Sequence, residues 1–234
     1  MGVLTQLYGI TTAEDAALVN ALRPDHVGVV LDEGVATWDT VDAPTLDAIL
    51  RELSDVAVVA LSLSTERDRI LRTAEAVPSA WLHLARAERI APDTLARLRA
   101  DLAPRRLMLT VPVRDRTALA LAARLAPCAD ALLLDTAHPE TGVVGATGHV
   151  HDWSLSREIV EGSRVPVILA GGLGPDNVAE AIRRTRPAGV DSETRTSRAD
   201  DRRRKDPERV RLFLERARAA ATGSTTARPG RCWR

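Results

Sequence analysis

The sequence predicts an α/β protein built as a single (β/α)8 barrel. Short runs rich in Leu, Val and Ile alternate eight times with longer segments whose apolar residues fall at three- and four-residue spacing. No GxGxxG follows the first run, so the main signature of an open, doubly wound dinucleotide-binding sheet is missing. The 234 residues, 45% of them hydrophobic, suffice for one closed barrel with a filled core.

Taken in order, the eight apolar runs place strands over residues 3–8, 26–31, 56–63, 81–85, 106–113, 129–135, 166–171 and 188–191. Helices are expected over 13–22, 44–53, 66–76, 92–102, 116–125, 154–161, 175–184 and 207–220. Thr12 stands before Glu14 and Asp15, Pro175 and Pro207 suit first helical turns, and Asp176 adds a carboxylate at the positive end of its helix dipole. Residues 1–221 form the barrel domain. Residues 222–234, with Gly-Ser-Thr-Thr and Arg-Pro-Gly-Arg, lack helical periodicity and read as a flexible C-terminal tail.

Charge excludes some partners. Lys plus Arg and Asp plus Glu are both 32, so any anion site must be built locally. The run Arg202-Arg203-Arg204-Lys205 is bracketed by Asp200, Asp201, Asp206 and Glu208 with no aromatic interleaved, and reads as a solvated loop; no nucleic-acid partner is expected. Cys128 and Cys232 lack metal or disulfide spacing, which fits a reducing cytoplasm. His149 and His151 alternate on a loop with no third ligand at diagnostic spacing, so no metal is predicted. The N-terminal segment shows neither a signal peptide nor a membrane span.

In such barrels reactive groups sit at the C-terminal ends of the strands. The sixth predicted strand ends Leu132-Leu133-Leu134-Asp135-Thr136, followed by Gly145-Ala146-Thr147-Gly148 and His151-Asp152-Trp153. Farther on come residues 166–172, Asn177, Gly189-Val190-Asp191 and Lys205-Asp206; upstream lie Tyr8-Gly9-Ile10-Thr11 and Leu82-His83. This constellation resembles the phosphoribosylanthranilate isomerase family, from residue 3 to about 218, densely from 130 to 191.

The resemblance implies an Amadori rearrangement of an N-(5-phosphoribosyl) arylamine in tryptophan biosynthesis, from aminoaldose to aminoketose, without metal or organic cofactor. It also implies a soluble cytoplasmic monomer or small homo-oligomer whose partner is a phosphorylated sugar-amine. Such chemistry needs an acid for the ring oxygen and a base for the proton on the sugar's second carbon. Matched to the family, Asp135 is the acid, and burial beside Leu132 to Leu134 would raise its pKa usefully; by position alone it could equally cap the following loop. Tyr8 stands where the family has its catalytic cysteine. A phenol of pKa about 10 is a poor base, so proton donation, stacking on substrate and packing all stand open, with Asp32 and Glu33 as substitute bases.

Substrate contacts implied are His83, Gly145, Thr147 and Gly148, although a lone histidine on an apolar strand is often a hydrogen-bonded core residue. Phosphate is expected on Gly171 and Gly172, helped by Ser192, where small residues expose backbone N–H groups; a tight turn is the plain alternative. The family arginine after strand two is missing, since no arginine occurs between Arg23 and Arg51, and Asp191 is followed by Ser192-Glu193-Thr194 where the family has Ser-Ser-Gly, which loses the glycine and brings in the acidic Glu193. These departures motivate a second reading, a repurposed or inactive barrel binding a phosphosugar-like ligand or a protein.

Overall fold

The structure, a computed structural model, describes residues 2–31, 37–136 and 151–222. Its strands are β1 (Leu4–Leu7), β2 (His26–Leu31), β3 (Thr40–Val41), β4 (Ala57–Ser62), β5 (Trp81–Leu84), β6 (Arg106–Val113), β7 (Ala131–Thr136), β8 (Val167–Leu169) and β9 (Gly189–Ser192). Between and after them run α1 (Ala13–Leu22), α2 (Ala43–Glu52), α3 (Arg67–Ala76), α4 (Pro92–Asp101), α5 (Thr117–Leu125), α6 (Trp153–Gly162), α7 (Val178–Thr185) and α8 (Pro207–Thr222). The strand order β1-β9-β8-β7-β6-β5-β4-β2, closed by β1 against β2, makes a parallel (β/α)8 TIM barrel. Among the described residues no helix is long and apolar enough to cross a membrane.

The strands' period of two sorts their side chains into two cores. One parity, including Leu7, Val27, Val29, Leu107, Leu109, Leu132 and Leu134, packs outward against helix residues such as Ile49, Leu98, Leu125 and Phe213. The other fills the lumen with Leu4, Tyr8, Val30, Val59, Trp81, Met108, Leu133 and Ile168. Helix starts follow local chemistry. Thr12 caps α1 by accepting from Asp15 N at 3.1 Å, and Asp42 caps α2 by accepting from Thr45 N at 2.9 Å.

Three details differ from the pattern-based expectation. β3 follows a stretch outside the described residues and pairs Thr40 and Val41 with Val30 and Leu31. Because β1 reaches only His26 and Val27 of β2, the next part of that edge is free, and β3 takes it. Two residues are too few for periodicity to register. The seventh helix begins at Val178, not 175, because Asn177 folds its side chain back onto the preceding turn, accepting from Gly174 N at 2.8 Å.

The basic run is also only half solvated. Arg202 and Arg203 are exposed, but Arg204 pairs with Glu14 (2.6 Å) and with the buried Asp15 (3.1 Å), and Lys205 is fully buried. The chain from Thr194 to Asp206 folds back on itself, with Ser197 bridged to Lys205, and so carries the lysine beneath the rim. The predicted tail from residue 223 onward lies outside the described residues, and Thr222 ends α8.

Candidate active site

Strand parity decides which groups meet at the C-terminal mouth. On β7 the lumen-facing series Ala131, Leu133 ends at Asp135, and on β9 the series from Gly189 gives Asp191 and then Glu193. These three carboxyls, with Gly171, Gly172, Leu173, Ser192 and Thr194, line one small, open cleft.

Asp135 keeps part of its surface open to this cleft and accepts from Thr136 N at 2.7 Å. Burial nonetheless pushes its carboxyl up to about 7, against a smaller opposing pull from that hydrogen bond. Asp191 is buried, and its pKa rises to about 8, first through burial and then through the charge of Asp135, opposed by Gln6 and Lys205. Two facing carboxyls that ionise near neutrality are an acid/base pair in chemical terms.

Gln6 sets the orientation of Asp191. His26, held neutral because burial lowers its pKa to about 4, donates Nδ1–H to Gln6 Oε1 at 3.1 Å. Gln6 Nε2 therefore faces Asp191 Oδ1, to which it donates at 3.2 Å.

Tyr8 and His83 are joined inside the barrel. The Tyr8 hydroxyl lies 2.7 Å from His83 Nδ1, and His83 Nε2 lies 2.7 Å from Thr110 Oγ1. Both residues are buried. Burial lowers the His83 pKa to about 3, keeping the imidazole neutral, and burial with the nearby Asp191, Glu193 and Asp39 charges raises the phenol well above 10. The ring fits because β2 offers Gly28 opposite it: a Cβ there would come 1.9 Å from Tyr8 Cε1. Neither Tyr8 nor His83 lines the cleft.

The predicted phosphate loop has the backbone its glycines suggested. Gly171 and Gly172 both take positive φ, +80° and +65°, a region that side chains disfavour. At Gly171 there is no room either, since a Cβ would approach Thr136 Oγ1 to 2.1 Å. Asn177 Nδ2 donates to Gly172 O at 2.9 Å, and Arg195 reaches the same carbonyl at 3.4 Å while pairing with Asp176 at 2.9 Å. Ser192 Oγ donates to Leu173 O at 2.7 Å, so its proton already braces the loop. Gly171→Ala is expected to destabilise the fold by about 1–3 kcal/mol through left-handed strain, before counting the clash. Urea unfolding checks the stability, and competitive inhibition by inorganic phosphate should weaken in the same variant.

Glu193 does not confront this loop with a bare negative charge. Burial, then the charge of Asp39 and a hydrogen bond with it, raise its pKa well above the ordinary carboxylate value, against the pull of Lys205. Its backbone carbonyl accepts from Lys205 Nζ at 2.8 Å, and Thr196 and Ser197 hydroxyls lie 3.2 and 3.3 Å from the same nitrogen. Burial lowers Lys205 to about 8, while the carboxylates around it, led by Glu193 and Asp191, pull the other way. Lys205 thus places a positive charge under the carboxyl cluster.

His151 closes the other flank of the mouth, with Nδ1 2.9 Å from Thr136 Oγ1 and Nε2 2.5 Å from Ser156 Oγ. Gly145, Thr147, Gly148, His149, Asp32 and Glu33 lie outside the described residues. Among those described, no three His, Cys, Asp or Glu side chains are grouped to hold a metal. The site residues missed from the sequence are Asp191, Gln6 and Lys205; the lumen parity of β9 and β1 was the available signal for the first two.

Fold and site together define a (β/α)8-barrel protein with paired carboxyls and a glycine loop at the C-terminal rim. The profile of the family described as N-(5'phosphoribosyl)anthranilate (PRA) isomerase matches residues 49–216. An N-(5'-phosphoribosyl)anthranilate isomerase of Haloferax volcanii is 37% identical over 218 residues, 92% of this chain and 93% of that protein. One from Methanocella arvoryzae is 34% identical over 215 residues, 91% and 97% of the two chains. Among solved structures, phosphoribosyl anthranilate isomerase from Thermotoga maritima superposes with a TM-score of 0.76 at 25% identity, covering 93% of this chain and 99% of that one. The chain belongs to the N-(5'-phosphoribosyl)anthranilate isomerase family.

Proposed function

We propose that this protein catalyses the Amadori rearrangement of an N-(5-phosphoribosyl) arylamine, as its named relatives do for N-(5'-phosphoribosyl)anthranilate in tryptophan biosynthesis. The observation that carries the reading is Asp135, a carboxyl at the mouth of the barrel whose pKa of about 7 leaves much of it protonated at neutral pH. It gives its proton to the ring oxygen as the ring opens to an imine. The phosphate rests against the Gly171-Gly172 backbone, with Arg195 as the adjacent cation and Lys205 offsetting the charge of Glu193. Gly145, Thr147 and Gly148 complete the substrate contacts by the family motif. Tyr8 and His83 form a buried, hydrogen-bonded pair inside the barrel, outside the cleft lining.

The same reading makes the protein a cytoplasmic monomer or small homo-oligomer with no nucleic-acid partner. Balanced charge and the pairing of Arg204 with Glu14 and Asp15 support the last point. A repurposed, inactive barrel gains nothing from the relatives, which are named as isomerases. The test is single-turnover consumption of freshly prepared phosphoribosylanthranilate by the purified protein. Conversion to the aminoketose is expected; no turnover of this or another phosphoribosyl arylamine would sink the reading.

A further inference from the structure

We propose that Asp191 is the base that removes the proton from the second carbon of the sugar, with Asp135 as its partner acid. The assignment rests on the isomerase reading above. Three geometric facts carry it. The family's cysteine position holds Tyr8, whose hydroxyl is committed to His83 Nδ1 at 2.7 Å within a buried chain ending at Thr110, and which stands outside the cleft lining. Asp191 lines the same cleft as Asp135, from the strand on the far side of β8. One oxygen of Asp191 is pinned by Gln6, itself fixed by His26, so the carboxylate is oriented before any substrate arrives.

The electrostatics fit a pair that holds one proton. Asp191 faces Asp135 from β7, Gln6 from β1, Lys205 from the segment before α8, and Glu193 and Tyr8 near the rim. Burial disfavours the charged forms of Glu193 and Tyr8, and the charges that act on Asp191 are the carboxylate of Asp135, which disfavours double ionisation, and the ammonium of Lys205, which favours one negative charge. With values of about 7 and 8, the pair titrates as a unit and is singly protonated between them. The reactive arrangement, with the proton on Asp135, is the minor form of this singly protonated pair, because Asp191 has the higher value.

The protons balance. Asp135 transfers its proton to the ring oxygen as the bond from that oxygen to the first carbon breaks and an iminium forms. Asp191 takes the proton from the second carbon, and that electron pair forms the carbon–carbon double bond of an enaminol while the nitrogen becomes neutral. Ketonisation then adds a proton to the first carbon and releases one from the 2-hydroxyl, which restores Asp191 to carboxylate and Asp135 to acid, with no oxidant or reductant required.

The experiment compares wild type, Asp191→Asn and Asp191→Ala on phosphoribosylanthranilate, with protium or deuterium on the second sugar carbon. Asp191→Asn is expected to lower kcat at least about 10²-fold with KM little changed. Asp191→Ala should regain turnover on addition of formate, a small carboxylate that fits the vacated space. The wild-type kcat/KM profile should be bell-shaped with limbs near 7 and 8, and the acid limb should vanish in Asp191→Asn. An Asp191→Asn variant within tenfold of wild type overturns the assignment, as does an Asp191→Ala variant that formate leaves inert while circular dichroism shows it folded. A wild type that turns over no phosphoribosyl arylamine removes the isomerase reading itself, and the base assignment with it; an active wild type beside an active Asp191→Asn removes the assignment alone.

Discussion

Asp135→Asn is expected to lower kcat/KM for a phosphoribosyl arylamine by about 10²–10⁴-fold, the usual contribution of a positioned acid, or about 3–5 kcal/mol of barrel-mouth catalysis. Asn keeps the shape and can still accept from Thr136 N, the contact Asp135 makes at 2.7 Å. It cannot deliver a proton to the ring oxygen. The same substitution should stabilise the fold at alkaline pH. The folded-state pKa is about 7 against an ordinary 3.8, so between those values the folded wild type binds more protons than the unfolded chain. Wild-type stability attributable to this group is therefore full below pH 3.8 and lost as pH rises through 7. Asn does not titrate, so the urea midpoint of the variant should match wild type near pH 4 and exceed it at pH 8. The pKa of Asp191 should also fall in this variant, because the neighbouring charge that raises it has gone. A variant both fully active and no more stable at pH 8 would remove Asp135 from the mechanism and the burial argument together.

Gly28→Ala is expected to cost about 3 kcal/mol, the upper end of ordinary overpacking. The added Cβ would meet three atoms of the Tyr8 ring at 1.9, 2.1 and 2.3 Å. Gly28 lies within β2, paired to Val59 of β4, so the strand cannot retreat without breaking the barrel ladder. The ring must yield instead, which separates the Tyr8 hydroxyl from His83 and leaves a buried imidazole nitrogen unpaired. In a Tyr8→Cys background the same Gly28→Ala change should be nearly neutral, because the obstructing ring is absent. A double-mutant cycle by urea unfolding should return a coupling of about 3 kcal/mol, the upper end for residues in direct contact. Additive effects would show that Tyr8 and Gly28 do not share space as described.

Much of this protein could be read along the chain. The alternation of short apolar runs with helical spacing located all eight staves of the barrel, because both periods are local consequences of backbone geometry. The ends of β7 and β8 drew attention to Asp135 and to Gly171-Gly172 for local reasons as well: a carboxylate closing an apolar strand, and small residues where the backbone must turn. Both glycines adopt the left-handed conformation that their lack of a Cβ permits.

Other features depended on distance along the chain. Asp191 is 56 positions after Asp135, and the parallel pairing of β7 and β9 on either side of β8 brings both to one cleft. Lys205 looked like one member of a solvated basic run until the fold-back at Ser197 carried it inside, where three oxygens bind it. Tyr8 at a position the family gives to cysteine looked like a lesion; Gly28 on the neighbouring strand makes room for it, and His83 gives it a partner.

The amino-acid order was enough to set the fold, the mouth of the barrel and the acid Asp135, because strand and helix periodicity and glycine conformation are fixed by covalent structure within a few residues. Only the tertiary structure decided the protonation of the acidic groups, the pairing of Asp135 with Asp191 and the placement of Lys205. Burial and Coulomb interaction depend on what lies within a few ångströms in space, and in a closed barrel those neighbours come from opposite ends of the chain.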